Sequence, residues 1–257
     1  MFKSRLLSGI VLVLVLALVI GYGSNVLLLF CGIISLIGMW ELNRVVKVEN
    51  KLPGILTYIC GAIYYLLLFL EKKEFLMGSI ILALIVLMAS YVFAFPKYHG
   101  NQIITAFFGF VYVAVMISYI YQARMLGLSY AILIFLGSWG SDTCAYCVGM
   151  LLGKHKMAPK LSPKKSVEGA VGGVVGAIAL GVVFGSIVGE EAVVFGVICG
   201  VGALISMIGD LAASAIKRNY EIKDYGHLIP GHGGILDRFD SVIFTAPVIY
   251  YMAVLLL

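Results

Sequence analysis

The chain has 257 residues, 62% of them hydrophobic and only 12% charged, with a mean hydropathy of +1.07 and a formal net charge of +5. Soluble domains carry about 25% charged residues, so this composition excludes a soluble enzyme and gives no reason to expect a nucleic-acid partner. Apolar runs of about 20 residues recur along the chain, as in bilayer-spanning helices, and the short alternating segments of a membrane β-barrel do not appear.

The expected fold is all-α: a polytopic membrane bundle of about nine helices near 6–22, 25–42, 54–70, 75–95, 102–122, 128–150, 169–188, 191–216 and 240–257. The opening MFKSRLLSGIVLVLVLALVI has the flavour of a signal peptide. No convincing small-residue cleavage site follows it and further spans come at once, so it is read as the first span. No polar interval is long enough for a separate soluble core. The five cysteines (Cys31, Cys60, Cys144, Cys147, Cys199) lie in apolar runs and read as small buried hydrophobes. A redox role for Cys144-x-x-Cys147 lacks the strand–helix context such motifs use.

Two connections are long, 151–168 and 217–239. The first carries five lysines and one glutamate, which places it in the cytoplasm by the positive-inside rule. The turn at Glu190-Glu191 has no basic residue and falls outside. Lys217, Arg218, Lys223 and Arg238 return the next connection to the inside. Working backwards, Lys97, then Arg44, Lys47 and Lys51, then Lys3 and Arg5 also fall inside. Lys72, Lys73 and Arg124 are exceptions in short outer loops. The expected topology is N-terminus in and C-terminus out. The first five spans carry little chemistry, and Glu41 with Arg44 reads as a solvated pair at a helix end. Residues 1–127 are accordingly assigned to packing, dimer formation and lipid access, and 128–257 to catalysis.

The polar groups gather after residue 137. In GSWGSDTCAYCVG, two glycines and two serines precede Asp142 and loosen the helix there. Asp142 lies about eight residues from the inner end of its span, roughly 12 Å deep at ~1.5 Å per residue. Asp210 lies at a similar depth on span eight, which suggests one shared water-filled cavity. Ser206, Asp210, Ser214 and Lys217 follow i, i+4, i+8, i+11 spacing and share a helix face. For the serines, hydroxyls bonded to the helix backbone are an equal explanation. A carboxylate at that depth needs a function.

The stretch from Asp210 to Asp240 holds five of the thirteen acidic residues. Within it, Gly231, Gly233 and Gly234 allow positive φ and close approach of backbone N–H groups to an anion. Carboxylates, amides and cations around a glycine-rich turn suit Mg²⁺ and phosphates. Zinc on His227 and His232 is the weaker alternative, because no nearby cysteine completes a tetrahedron. Most lysines of 154–165 serve topology; Lys164 and Lys165, between Pro163 and Ser166, are the phosphate-binding candidates.

The run SAIKRNYEIKDYGHLIPGHGGILDRFD (214–240) resembles the signature of phosphatidate cytidylyltransferases, or CDP-diacylglycerol synthases, of bacterial type. Its elements here are Ser214, Lys217, Arg218, Lys223, Asp224, His232, Gly233, Gly234, Asp237, Arg238 and Asp240. SDTCAYCVGMLLGKHKMAPKLSPKKSVEGAVGG (141–173) resembles the same family's central region. The resemblance implies a dimeric polytopic enzyme of the inner (plasma) membrane, with its active site facing the cytoplasm. It implies the phospholipid-biosynthetic reaction of CTP with phosphatidic acid, giving CDP-diacylglycerol and pyrophosphate. It implies Mg²⁺ on Asp210 and Asp237 and admits K⁺ as a second cation. Lys217, Arg218 and Asp224 join those two aspartates as catalytic candidates. Asp142, Lys164, Lys165, Ser214, Lys223, His232, Gly233, Gly234 and Arg238 are candidates for binding substrate phosphates. A lipid phosphomonoester is its own nucleophile, largely dianionic near neutrality, so no Ser/His/Asp relay is needed. Two rival readings stand beside this one: a CTP-dependent polyprenol kinase with His232 or Asp224 as base, and an ion-coupled transporter working through Asp142 and Asp210.

Overall fold

A computed structural model of the chain describes residues 2–231 and 233–257, the side chains of residues 2–6 excepted; His232 and the side chains of Lys3 and Arg5 lie outside the described residues. Among the described residues the chain forms α1 Phe2–Tyr22, α2 Ser24–Val45, α3 Leu52–Phe69, α4 Leu76–Phe93, α5 Gly100–Leu126, α6 Leu128–Leu152, α7 Val167–Val188, α8 Ala192–Asn219 and α9 Leu236–Leu256. The helices α2 to α9 are long and apolar enough to cross a membrane, and α1 adds the apolar stretch Leu7–Tyr22. The protein is a polytopic helical membrane protein. Its helices turn large apolar side chains outward, Phe93 being 90% exposed; such faces are stable against hydrocarbon, not water.

The helix limits depart from the sequence expectation at both ends of the 217–239 connection. Helix α8 continues to Asn219, so Lys217 and Arg218 occupy its last turn. Lysine and arginine are good helix formers, and their charge suits the carbonyl end of a helix. Helix α9 starts at Leu236, which puts Asp237 in its first turn. The 151–168 connection is also more ordered than a loop: β1 (Lys156–Ala158) pairs antiparallel with β2 (Ser162–Ser166), Lys156 opposite Ser166 and Ala158 opposite Ser162.

The chain divides into two compact units, Met1–Tyr121 with Asp224–Arg238, and Gln122–Lys223 with Phe239–Leu257. In the first, α2 and α3 pack on α5. Helix α5 is wound one residue wider per turn over Phe110–Val115. Polar groups here satisfy one another: Tyr65 Oη donates to Ala114 O (3.2 Å) and shares a hydrogen bond with Ser35 Oγ (2.8 Å). The Tyr64 ring meets Tyr65 and Phe110 edge-on.

In the second unit, α7 buries Gly169, Gly173, Ala177, Gly181 and Gly185, one small residue every four. That spacing forms a smooth stripe along one helix face, and small residues are what let backbones approach where no hydrophobic force drives helices together. The N-terminal part of the stripe lies on α6: a β-carbon on Gly169 would sit 2.8 Å from Ala145 O and 3.2 Å from Gly149 Cα. The C-terminal part lies on α8, where a β-carbon on Gly181 would sit 2.5 Å from Phe195 O. Helix α6 widens over Leu136–Gly140, immediately before Asp142, as the glycine–serine cluster suggested. Ser138 Oγ donates to Ile134 O across that turn at 2.6 Å.

The cysteine expectation holds in part. Cys31 and Cys199 are buried and all five are free thiols, but Cys60 and Cys144 are half-buried and Cys147 is exposed. Cys147 follows Cys144 by three positions, about 60° away around α6, and Cys144 has its sulfur against Gly176 of α7; an apolar run in a membrane helix includes the exposed edge of a packed face as well as its buried centre.

Candidate active site

Where α6, α7, α8 and the β-hairpin converge, the second unit contains a cavity of about 490 Å³. Asp142 borders it from α6, Asp210 from α8, and Lys164, Lys165 and Ser166 from β2; Tyr146, Met150, Met157 and Met207 supply apolar wall. The hairpin brings the lysines there. Ser166 ends β2 and caps α7, its Oγ accepting from Gly169 N at 3.1 Å, so the strand leads straight into the helix beside the cavity. Lys165 pairs with Asp210 through Nζ and Oδ2, each side chain about a quarter exposed. Asp142 and Asp210 thus line one cavity, as their matching depths suggested. Beside it, Glu168 in the first turn of α7 accepts from His155 Nδ1 (2.5 Å) and from Lys154 N (3.0 Å), tying down the start of the hairpin.

In the first unit, the segment 224–238 is a bonded structure. Asp237 Oδ2 accepts from Tyr225 N (2.8 Å) and Gly234 N (2.9 Å), and Ile229 N donates to Gly233 O (2.9 Å). Gly231 and Gly233 have φ of 77° and 88°, the left-handed region open to glycine. Gly234 is glycine for another reason. A β-carbon there, or on Gly226, would run into the Glu41 carboxylate.

Glu41 corrects the sequence reading. It is not a solvated edge residue but 1% exposed. Its Oε1 accepts from Ile235 N (3.0 Å) and its Oε2 from Leu236 N (2.9 Å). Arg44, one turn further along α2, donates from Nη2 to Tyr225 O at 2.6 Å. The first amides of a helix have no intrahelical acceptor, and a carboxylate there is favoured by the dipole as well. Hydrogen bonds to a charged group contribute about 1.5–3 kcal/mol each, which offsets part of the cost of burying the carboxylate. The signal in the sequence was the carboxylate itself, one of few charges inside a 22-residue helix; its acceptor role depends on residues 194 and 195 positions away.

Of the remaining candidates, Ser214 and Lys217 are half-buried on α8, Arg218 and Lys223 are exposed, and Asp224 and Arg238 are half-buried. Asp240 is buried, 9% exposed, with Oδ1 accepting from Ser241 N at 2.8 Å. Among the described residues no group of three or more His, Cys, Asp or Glu side chains converges as a ready-made cation site. Hard cations such as Mg²⁺ commonly take one or two carboxylates and complete their shell with water and substrate phosphate. The Asp210 carboxylate, which already faces an ammonium group, is chemically suited to that use.

A polytopic membrane helical protein with lysines and carboxylates around one cavity has the equipment of an enzyme acting on phosphate esters at a bilayer. Residues 3–256 match the model of the cytidylyltransferase family, and the chain belongs to that family: it is a nucleotidyltransferase. It is 32% identical over 256 residues to a phosphatidate cytidylyltransferase of Staphylococcus epidermidis, covering 96% of this chain and 97% of that one. It is 31% identical over 257 residues to the phosphatidate cytidylyltransferase of Staphylococcus saprophyticus and 29% identical over 257 residues to that of Staphylococcus aureus, with the same coverage. Nothing in these relationships favours the kinase or the transporter. Cytidylyltransferases of this kind work with a divalent cation, which matches the carboxylate chemistry above.

Proposed function

We propose that the protein transfers the cytidylyl group of CTP to phosphatidic acid, giving CDP-diacylglycerol and pyrophosphate. The observation that carries this reading is the cavity where Lys164 and Lys165 meet Asp142 and Asp210, in a chain related over nearly its whole length to phosphatidate cytidylyltransferases. A phosphate oxygen of the lipid attacks the α-phosphorus of CTP, the bond from that phosphorus to the β-phosphate oxygen breaks, and pyrophosphate leaves. The obstacle is the approach of one polyanion to another. Lys164 and Lys165 bind and neutralise phosphate at the cavity, and Lys217, Arg218, Lys223 and Arg238 add positive charge for the nucleotide. Holding the reactants in line does most of the rest.

Asp210 and Asp237 are the carboxylates we assign to Mg²⁺, following the sequence motif, with K⁺ as a second cation. When bound, the divalent cation neutralises charge on the phosphates and the departing pyrophosphate. Asp142, Ser214, Asp224, His232, Gly233 and Gly234 complete the proposed set, although the Gly234 amide is here engaged by Asp237. The lysine distribution supports a hairpin facing the cytoplasm, where CTP is found, in a bacterial inner membrane, with the N-terminus inside and the C-terminus outside. The family resemblance supports a homodimer. The catalytic role of 128–257 and the packing, dimer and lipid-access role of 1–127 belong to the same proposal.

The test is purified protein in detergent with phosphatidic acid, Mg²⁺ and each of the four nucleoside triphosphates. CDP-diacylglycerol and pyrophosphate should form with CTP. CDP with a phosphorylated alcohol would establish the kinase, and solute flux without nucleotide turnover the transporter.

A further inference from the structure

We infer that Glu41 is a positioning residue for Asp237, setting the direction of that carboxylate from the end of α2. This rests on the reading of Asp237 as a cation ligand. A charged side chain buried in a membrane helix is costly and calls for a specific purpose. Glu41 is buried to 1% exposure, and each of its oxygens holds one of two successive amides, Ile235 N and Leu236 N. Asp237 is the next residue. Two amides held at once fix the rotational phase of the first turn of α9, and in a helix of 3.6 residues per turn a slip of one residue turns every side chain by about 100°.

The other side of the same loop is held from the same helix. Arg44 binds Tyr225 O, while Tyr225 N donates to Asp237 Oδ2. Thus α2 grips the loop both at the residue whose amide Asp237 holds and at the residue before Asp237. Gly226 and Gly234 close the arrangement, because either β-carbon would displace the Glu41 carboxylate. A simple helix cap needs one acceptor and tolerates a rotating helix start. Here both carboxylate oxygens, an arginine and two glycines converge on the backbone around one aspartate.

The experiment uses full-length protein in detergent and Mn²⁺ as the probe, titrated by electron paramagnetic resonance, with Mg²⁺ activation measured in parallel. Glutamine at position 41 keeps the shape but presents an N–H₂ group to one of the two amides. Glu41→Gln should weaken Mn²⁺ binding about tenfold, as loss of a carboxylate that orients a metal ligand commonly does. The Mg²⁺ concentration for half-maximal activity should rise by the same factor, with kcat at saturating Mg²⁺ close to that of the parent. Asp237→Asn should remove the site that Glu41→Gln weakens. If Glu41→Gln lowers the melting temperature but leaves Mn²⁺ affinity unchanged while Asp237→Asn abolishes it, Glu41 is a cap only and the inference falls alone. If Asp237→Asn binds Mn²⁺ as the parent does, the cation role of Asp237 falls and takes the inference with it. Should Glu41→Gln not fold, Gly226→Ala, which keeps the charge but drives a methyl group toward the carboxylate, carries the same expectation.

Discussion

Adding one methyl group at Gly169 should destabilise the protein, while the same addition at Gly78 should stabilise it. A β-carbon on Gly169 would lie 2.8 Å from Ala145 O, 3.0 Å from Ser166 Oγ and 3.2 Å from Gly149 Cα. Ordinary contact begins near 3.4 Å, so the Ala145 carbonyl is about 0.6 Å too close (3.4 minus 2.8). It is backbone and cannot rotate away, so α6 and α7 must part, and the Ser166 hydroxyl, also too close at 3.0 Å, must give up its cap. Overpacking of this kind costs about 1–3 kcal/mol and loss of the cap about 1 kcal/mol. Alanine returns up to about 1 kcal/mol through its better helix propensity, leaving a net loss of about 1–3 kcal/mol. Around Gly78 in α4 a β-carbon meets nothing within 4 Å, so only the propensity gain of up to about 1 kcal/mol remains. Thermal unfolding in detergent, followed by size-exclusion recovery after heating, ranks the two against the parent. Gly169 and Ala145 both border the cavity, so Gly169→Ala should also lose cytidylyl transfer and Gly78→Ala should not. A Gly169→Ala protein as stable as the parent would refute the close α6–α7 approach and the account of the small-residue stripe with it.

Lys165→Met should lower kcat/KM for CTP about ten- to a hundredfold, the worth of one charge-assisted hydrogen bond, and Lys165→Arg should recover part of it; parental kinetics in Lys165→Met would remove that lysine from phosphate binding. Asp210→Asn and Asp237→Asn should each lose nearly all CDP-diacylglycerol formation in well-folded protein, with the double variant no worse than either, because groups that act as a unit are non-additive; full activity in either would send the cation assignment to Asp142 or Asp224. Arg218→Lys keeps the charge but loses the two-pronged geometry that arginine offers a phosphate, so initial rates against CTP concentration should fall markedly, and an unaffected enzyme would leave Arg218 as a topology signal.

The sequence by itself was sufficient for the class of fold, the helix sequence and the family motif. These depend on properties local to the chain: apolar runs of membrane length, glycine and serine where α6 widens, and a signature confined to residues 214–240. Matching depths along two spans were enough to anticipate that Asp142 and Asp210 border one cavity. The tertiary structure decided what depends on distant partners. Helix α7 shows its small residues every four positions in the sequence, but only packing says that the first of them meet α6 and the last meet α8. Lys164 and Lys165 stood out in the sequence as phosphate-binding candidates, but only strand pairing shows that Lys165 is delivered to Asp210. Glu41 was misread as solvated because its surroundings in sequence look like a helix end. Its hydrogen-bonding partners lie 194 and 195 residues later, and a carboxylate's environment is set by the groups the fold brings to it, not by its neighbours along the chain.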